Sequence, residues 1–188
     1  IMPTEEPYMK TRVFVQWKKR IPWLLVLMIS ASFTQAVINT YQDAIIAAGY
    51  SVMTSFIPML MDTGGNSGSQ ASVSVIRAIT LNEIQFKDMF KVVWKESRVA
   101  LLCGLTLAVC NFFKLIIIDG AQVSVSLTVC LTLIVTVFVA KVVGAVLPIV
   151  AKKLGFDPTV MASPLITTVV DVLSLMIFFN IANIVLGI

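Results

Sequence analysis

Residues 158–188 read PTVMASPLITTVVDVLSLMIFFNIANIVLGI, an apolar run with one acidic residue, Asp171, and no basic one. Crossing about 30 Å of hydrocarbon takes roughly 20 residues of helix, so a run of this length can span a bilayer. Working back along the chain, the stretches 123–150, 98–118, 51–80 and 22–48 qualify too. They are long and continuous, unlike the alternating segments of about ten residues that build membrane barrels. The pattern predicts an all-α integral membrane protein with five transmembrane helices per chain.

Composition points the same way. Of 188 residues, 58% are hydrophobic and 13% charged, and the mean hydropathy is +0.95. Soluble domains are about half apolar and a quarter charged, so this chain cannot hide its apolar residues inside a water-facing shell. Disordered chains, disulfide scaffolds and ordinary cytosolic enzymes are thereby excluded. His is absent, which removes the commonest metal ligand and acid–base group. Cys103, Cys110 and Cys130 all lie in apolar runs without a CxxC pair, and read as buried small hydrophobes. The segment IMPTEEPYMKTRVFVQWKKR (1–20) is too polar for a cleaved signal peptide. With no initial Met, the chain reads as an excised membrane domain, 21–188, preceded by a short cytoplasmic segment.

Basic residues set the expected orientation. Lys10, Arg12, Lys18, Lys19 and Arg20 precede the first span; Arg77, Lys87, Lys91, Lys95 and Arg98 flank the second-to-third connection; Lys152 and Lys153 lie between spans four and five. The opposite connections carry Asp43, Lys114 and Asp119. By the positive-inside rule the N-terminus is cytoplasmic and the C-terminus outside, in a multi-pass protein of the cell membrane in direct contact with lipid. The basic residues are spread along the membrane boundary without one patch of stacking aromatics, so no nucleic-acid partner is expected.

Polar groups at membrane depth carry the functional signal. A charged side chain at the bilayer centre costs several kcal/mol and normally faces a bundle interior or a water path. Asp171 is such a group, and Ser163, Thr167, Asp171 and Ser174 recur at helical spacing as one polar stripe. The second span holds MDTGGNSGSQ (61–70), where Asp62, Asn66 and Gln70 repeat every fourth residue and so share a face. Gly64, Gly65 and Gly68 permit either close helix approach or a local break that exposes carbonyls. Spans two and five run in opposite directions, so Asn66 and Asp171 can meet at one depth.

Only hard oxygen ligands are on offer: carboxylate, amide, hydroxyl and carbonyl. That set suits Mg²⁺, with Ca²⁺ or Mn²⁺ also accommodated, better than zinc or copper. One chain supplies little charge for a dication. A two-fold axis along a pore would pair two copies of Asp171 against it. Mg²⁺ sheds water reluctantly and is usually held by one or two carboxylates plus waters, so a sparse wide ring suits the hydrated ion.

Other features read more plainly. Lys114 and Lys141, late in their spans, are expected to snorkel toward an interface. Pro58, Pro148 and Pro164 are expected to kink or end helices. The basic linker 87–98 is amphipathic enough to lie on the membrane surface.

Three blocks of this sequence resemble the membrane domain of the MgtE family of magnesium channels and transporters. They are Arg20-Ile21-Pro22-Trp23-Leu24-Leu25; Ile57-Pro58 with Gly64-Gly65-Asn66-Ser67-Gly68-Ser69-Gln70; and Asp157-Pro158 with Ser163-Pro164-Leu165-Ile166-Thr167-Thr168-Val169-Val170-Asp171. The resemblance implies a parallel homodimer whose pore lies on the two-fold axis, lined mainly by helices two and five. It implies that Asp171 holds hydrated Mg²⁺, with Thr167 offering a backbone carbonyl and Asn66 completing the metal site. Gly64, Gly65, Ser163, Asp62 and Gln70 would line the pore. Ser163 stands where some relatives carry Asn, and Tyr41-Gln42 replaces an aromatic–acidic pair of some relatives, so no role is carried over to that loop. Family members also have a cytoplasmic domain and paired CBS modules that sense Mg²⁺ and close the pore. Residues 1–20 resemble the end of the helix that joins them.

The function expected is a magnesium channel passing hydrated Mg²⁺ down its electrochemical gradient, not an enzyme. The alternative is a Na⁺- or H⁺-coupled divalent-cation exchanger. A non-conducting scaffold and an intramembrane aspartyl protease are the remaining readings, the latter lacking a GxGD element.

Overall fold

The computed structural model describes residue 9 and residues 11–159 and 163–187, with the side chains of Ala44 and Ser163 outside the description. Five α-helices account for most of it: α1 (Val13–Ala47), α2 (Ile57–Thr80), α3 (Met89–Ile117), α4 (Val123–Lys153) and α5 (Ser163–Leu186). A 3₁₀ turn, Ser51–Phe56, leads into α2, and another, Phe86–Asp88, leads into α3. No strand occurs among the described residues.

Four of these helices, α1, α3, α4 and α5, are long and apolar enough to cross a membrane. The fifth, α2, is too polar to qualify by its own hydropathy, although its 24 residues extend about 36 Å. It gains its place from its neighbours. Pro58 sits in its first turn, where the missing N–H has no intrahelical partner to lose. The helix then runs without interruption through the glycine block, so the break that the glycines allow does not occur; they serve close approach instead.

Helix α4 is the post around which the bundle assembles, packing against α2, α3 and α5, while α1 packs chiefly on α5. A Cβ on Gly144 of α4 would run into the backbone of Gly68 on α2, so two glycines meet there face to face. A Cβ on Gly64 would lie 2.8 Å from Thr136 Cγ2 of α4 and 2.8 Å from Ser174 Oγ of α5. These pairings make α2 parallel to α4 and antiparallel to α5. Between α3 and α4, a Cβ on Gly104 would stand 3.3 Å from the Ile134 backbone, and Cys130 Sγ donates to the Ala108 carbonyl at 3.3 Å. Small residues thus let backbones close in where lipid supplies no hydrophobic drive between helices.

Several boundary expectations need correction. The helix of the first span begins at Val13, before Pro22, which lies inside it. The basic linker 87–98 is mostly not a separate surface segment: from Met89 it forms the opening turns of α3. Pro148 lies inside α4 without ending it, whereas Pro164 occupies the first turn of α5. Cys110 faces outward and Cys103 is half-buried, leaving Cys130 as the buried thiol; all three are free. Residues 160–162, part of the run read as the fifth span, lie outside the described residues.

The helix ends are tied by local polar contacts. Lys114 Nζ pairs with Asp119 at 2.6 Å in the α3–α4 turn. Lys152 donates to the Ile79 carbonyl at 3.4 Å, and Lys153 lies 3.7 Å over the Phe86 ring. In the α4–α5 turn, the amide and hydroxyl of Thr159 both donate to Asp157 Oδ1, at 2.9 and 2.7 Å. Those bonds hold the Asp157 carboxyl below the usual carboxylate range.

Candidate functional site

The site is built where α2 crosses α5. Gly65 lacks a side chain, and a Cβ there would stand 3.1 Å from Thr167 Cγ2 and 3.9 Å from Asp171 Oδ1. The backbone of the glycine block and the α5 carboxylate therefore share one depth, as opposite-running spans allow. Asp171 is half-buried in the third turn of α5, about one turn before the middle of the helix. Its carboxylate takes no hydrogen bond and no ion pair from any described residue. A carboxylate left without a partner on so apolar a helix is free to hold a cation or its water shell.

Thr167, one turn earlier, is half-buried and donates its hydroxyl to the Pro164 carbonyl at 2.9 Å. Its side chain is thus engaged locally rather than offered to an ion. Ser163 heads α5, and its side chain lies outside the described residues. Ser174 departs from the expected stripe: it is buried in the α2–α5 crossing and donates to the Val170 carbonyl at 2.7 Å.

On α2 the expected shared face is present. Asp62, Asn66 and Gln70 are all exposed, and Asn66 Nδ2 donates to Asp62 Oδ2 at 3.1 Å. Gly64 and Gly65 are buried against α5 and α4, on the flank that fixes the helix in place. The polar face looks onto two hollows. One, of about 720 Å³, is lined by Asn66, Ser69, Gln70, Val73 and Ser74. The other, of about 540 Å³, lies between α2, α3 and α4 and is lined by Asp62, Asn66, Ser67, Gln70, Thr106 and Lys141 among others.

Lys141 overturns an expectation. It does not reach an interface: the residue is 5% exposed, and its side chain lines this second hollow. Sequence position alone suggested snorkelling; the direction of the side chain depends on the three helices around it. Among the described residues no three Asp, Glu or Cys side chains gather to hold a metal. What the chain presents is sparse: one free carboxylate on α5, an amide-supported carboxylate on α2, and close-set backbone between them.

Residues 57–181 match the family model of MgtE, described as "Divalent cation transporter", a transporter and not an enzyme. The chain is similar to proteins called "Magnesium transporter MgtE" from Thermus thermophilus (32% identical), Bacillus subtilis (31%) and Enterococcus faecalis (29%). The alignments cover 90%, 92% and 88% of this chain. They cover 37%, 38% and 36% of the relatives, so the chain spans well under half the length of the curated proteins it matches.

Proposed function

The chain belongs to the MgtE family of divalent cation transporters, and from that premise we propose that it conducts hydrated Mg²⁺ across the membrane through a pore on the two-fold axis of a homodimer. The observation that carries this reading is the unpaired Asp171 carboxylate, set at the depth of Gly65 in the glycine block. Two copies of Asp171 across the axis would balance the two charges of the ion. Two carboxylates facing each other across an axis suit an ion that keeps its waters, because Mg²⁺ gives them up reluctantly.

Asn66 and Asp62 extend the path along α2, and the close approach at Gly65 keeps apolar bulk out of it. Thr167 contributes to the wall of the passage, and Ser163 and Gln70 are assigned to its lining. Drive comes from the membrane potential, about 4.6 kcal/mol for two charges per 100 mV. Full-length relatives are expected to add a cytoplasmic Mg²⁺-sensing domain that gates the passage.

The test is Mg²⁺ flux into proteoliposomes for wild type and Asp171→Ala, with Ca²⁺ and Mn²⁺ run in parallel. Flux should vanish in the variant while its oligomeric mass is unchanged. Wild-type flux in Asp171→Ala removes the proposed site, and flux that requires an imposed Na⁺ or pH gradient replaces the channel with an exchanger.

A further inference from the structure

A lysine at 5% exposure in the middle of a membrane bundle needs a partner for its charge, because an isolated buried ammonium is far too costly. The described residues give Lys141 none within bonding distance: the two ion pairs are Lys91 with Asp88 and Lys114 with Asp119, and Lys141 donates no hydrogen bond. Its side chain instead lines the hollow of about 540 Å³ shared with Asp62, Thr63, Asn66, Ser67 and Gln70. That volume holds many waters at about 30 Å³ each, and the lining supplies the polar partners that ordered water requires.

Direction points the same way. Side chains lean toward the N-terminus of their own helix. Gly64 faces Thr136 and Gly68 faces the Ala140 carbonyl, so leaning back along α4 carries the Lys141 ammonium toward the depth of Asn66 and Asp62. Asp62 is the sole carboxylate among the residues lining this hollow.

We propose that Lys141 is the tethered counter-charge of Asp62 across a hydrated side chamber, and that it sets how tightly the α2 face holds a divalent cation. With both groups present the chamber is neutral, and the α2 face draws a passing ion only weakly. A site that conducts must bind strongly enough to admit an ion and weakly enough to release it. Lys141 acts here as a positioning residue through Asp62, without touching the ion. The inference rests on the reading of the Asp62–Asn66 face as a flank of the Mg²⁺ path.

The experiment measures equilibrium Mg²⁺ binding to the purified chain in detergent and Mg²⁺ flux in proteoliposomes. The proteins are wild type, Lys141→Gln, Lys141→Arg, Asp62→Asn and the double variant Asp62→Asn/Lys141→Gln. Lys141→Gln should tighten Mg²⁺ half-saturation roughly tenfold, the scale of one uncovered carboxylate acting on a nearby dication at high effective dielectric, and should lower maximal flux. Lys141→Arg should restore wild-type values. Asp62→Asn should weaken binding, and the double variant should return toward wild type because its chamber is neutral again. Unchanged half-saturation in a folded Lys141→Gln protein overturns the inference. So does a shift that neither Arg nor the second substitution corrects, which would mark Lys141 as packing alone. If wild type carries Mg²⁺ and Asp171→Ala does not, either result sinks this inference while leaving the proposed function standing; absence of wild-type flux sinks the function itself.

Discussion

At the scale of single residues, the charge on Asp171 is what the proposed conduction needs. Asp171→Asn keeps the size and hydrogen-bonding reach of the side chain while removing its charge. Each charge-assisted hydrogen bond from a water of the ion to carboxylate is worth about 1.5–3 kcal/mol, so Mg²⁺ half-saturation should rise roughly tenfold or more in a binding assay. Asp171 was legible because a carboxylate in an apolar run needs no neighbour to be noticed. Lys141 was not, since the fate of its ammonium depends on where α2 and α3 stand relative to α4. Cys110 was misread for a related reason: in a bilayer an apolar helix has no obligatory inside, and this thiol faces outward. A second residue-scale expectation concerns acid. Thr159 depresses the Asp157 carboxyl in the folded chain, so its contribution to stability is present above the unfolded value near pH 3.9 and is lost as pH falls through the lower folded value. Hydrogen exchange of the α4–α5 turn should therefore keep its protection from pH 8 to 5 and lose it only under stronger acid; Asp157→Asn should remove that acid step.

At the scale of elements, the crossing of α2 on α4 rests on paired glycines. Gly144→Ala sets a methyl group against the Gly68 backbone, which no rotamer can relieve, and overpacking of this kind costs about 1–3 kcal/mol. The thermal midpoint in detergent should fall accordingly. Gly120→Ala also lowers it, through a positive φ of 60°, but its Cβ would meet nothing within 4 Å, so its effect stays in the α3–α4 turn. Only Gly144→Ala should also weaken Mg²⁺ binding, by pushing α2 off α4 and so disturbing its register on α5. Sequence patterning located all five helices, although α2 does not qualify as a span by hydropathy, and it erred in what hydropathy does not sense. Backbone hydrogen bonding carries α1 and α3 beyond their apolar stretches, so each begins nine residues before its predicted span. The glycine block could be read as a break or as a seam, and the choice fell to Thr136, Ser174 and Gly144, none of them near it in sequence.

At the scale of the whole molecule, the exposed face of α2 is the part a single chain leaves unexplained. Asp62, Asn66 and Gln70 are exposed at the open mouths of the hollows they line, and lipid is a poor solvent for an amide and worse for a carboxylate. The outward faces of α1 and α3, by contrast, carry Leu24, Met28, Phe33, Leu102 and Val109, side chains that lipid receives well. The proposed homodimer resolves the asymmetry, because a two-fold axis beside α2 and α5 turns that one polar face onto water shared by two copies. Val73 provides a probe: it is 62% exposed and lines the hollow of about 720 Å³ beside Asn66 and Gln70. In a background with Cys103, Cys110 and Cys130 replaced, Val73→Cys should be joined by a short bifunctional maleimide into a species of twice the 20.5 kDa chain mass. Val109→Cys, 56% exposed on α3, should stay monomeric under the same reagent. Cross-linking at Val109 but not at Val73 would put the axis on the wrong side of the bundle. Two copies of Asp171 could then not face each other, and a dication passing between them would lose half the charge that the proposed site depends on.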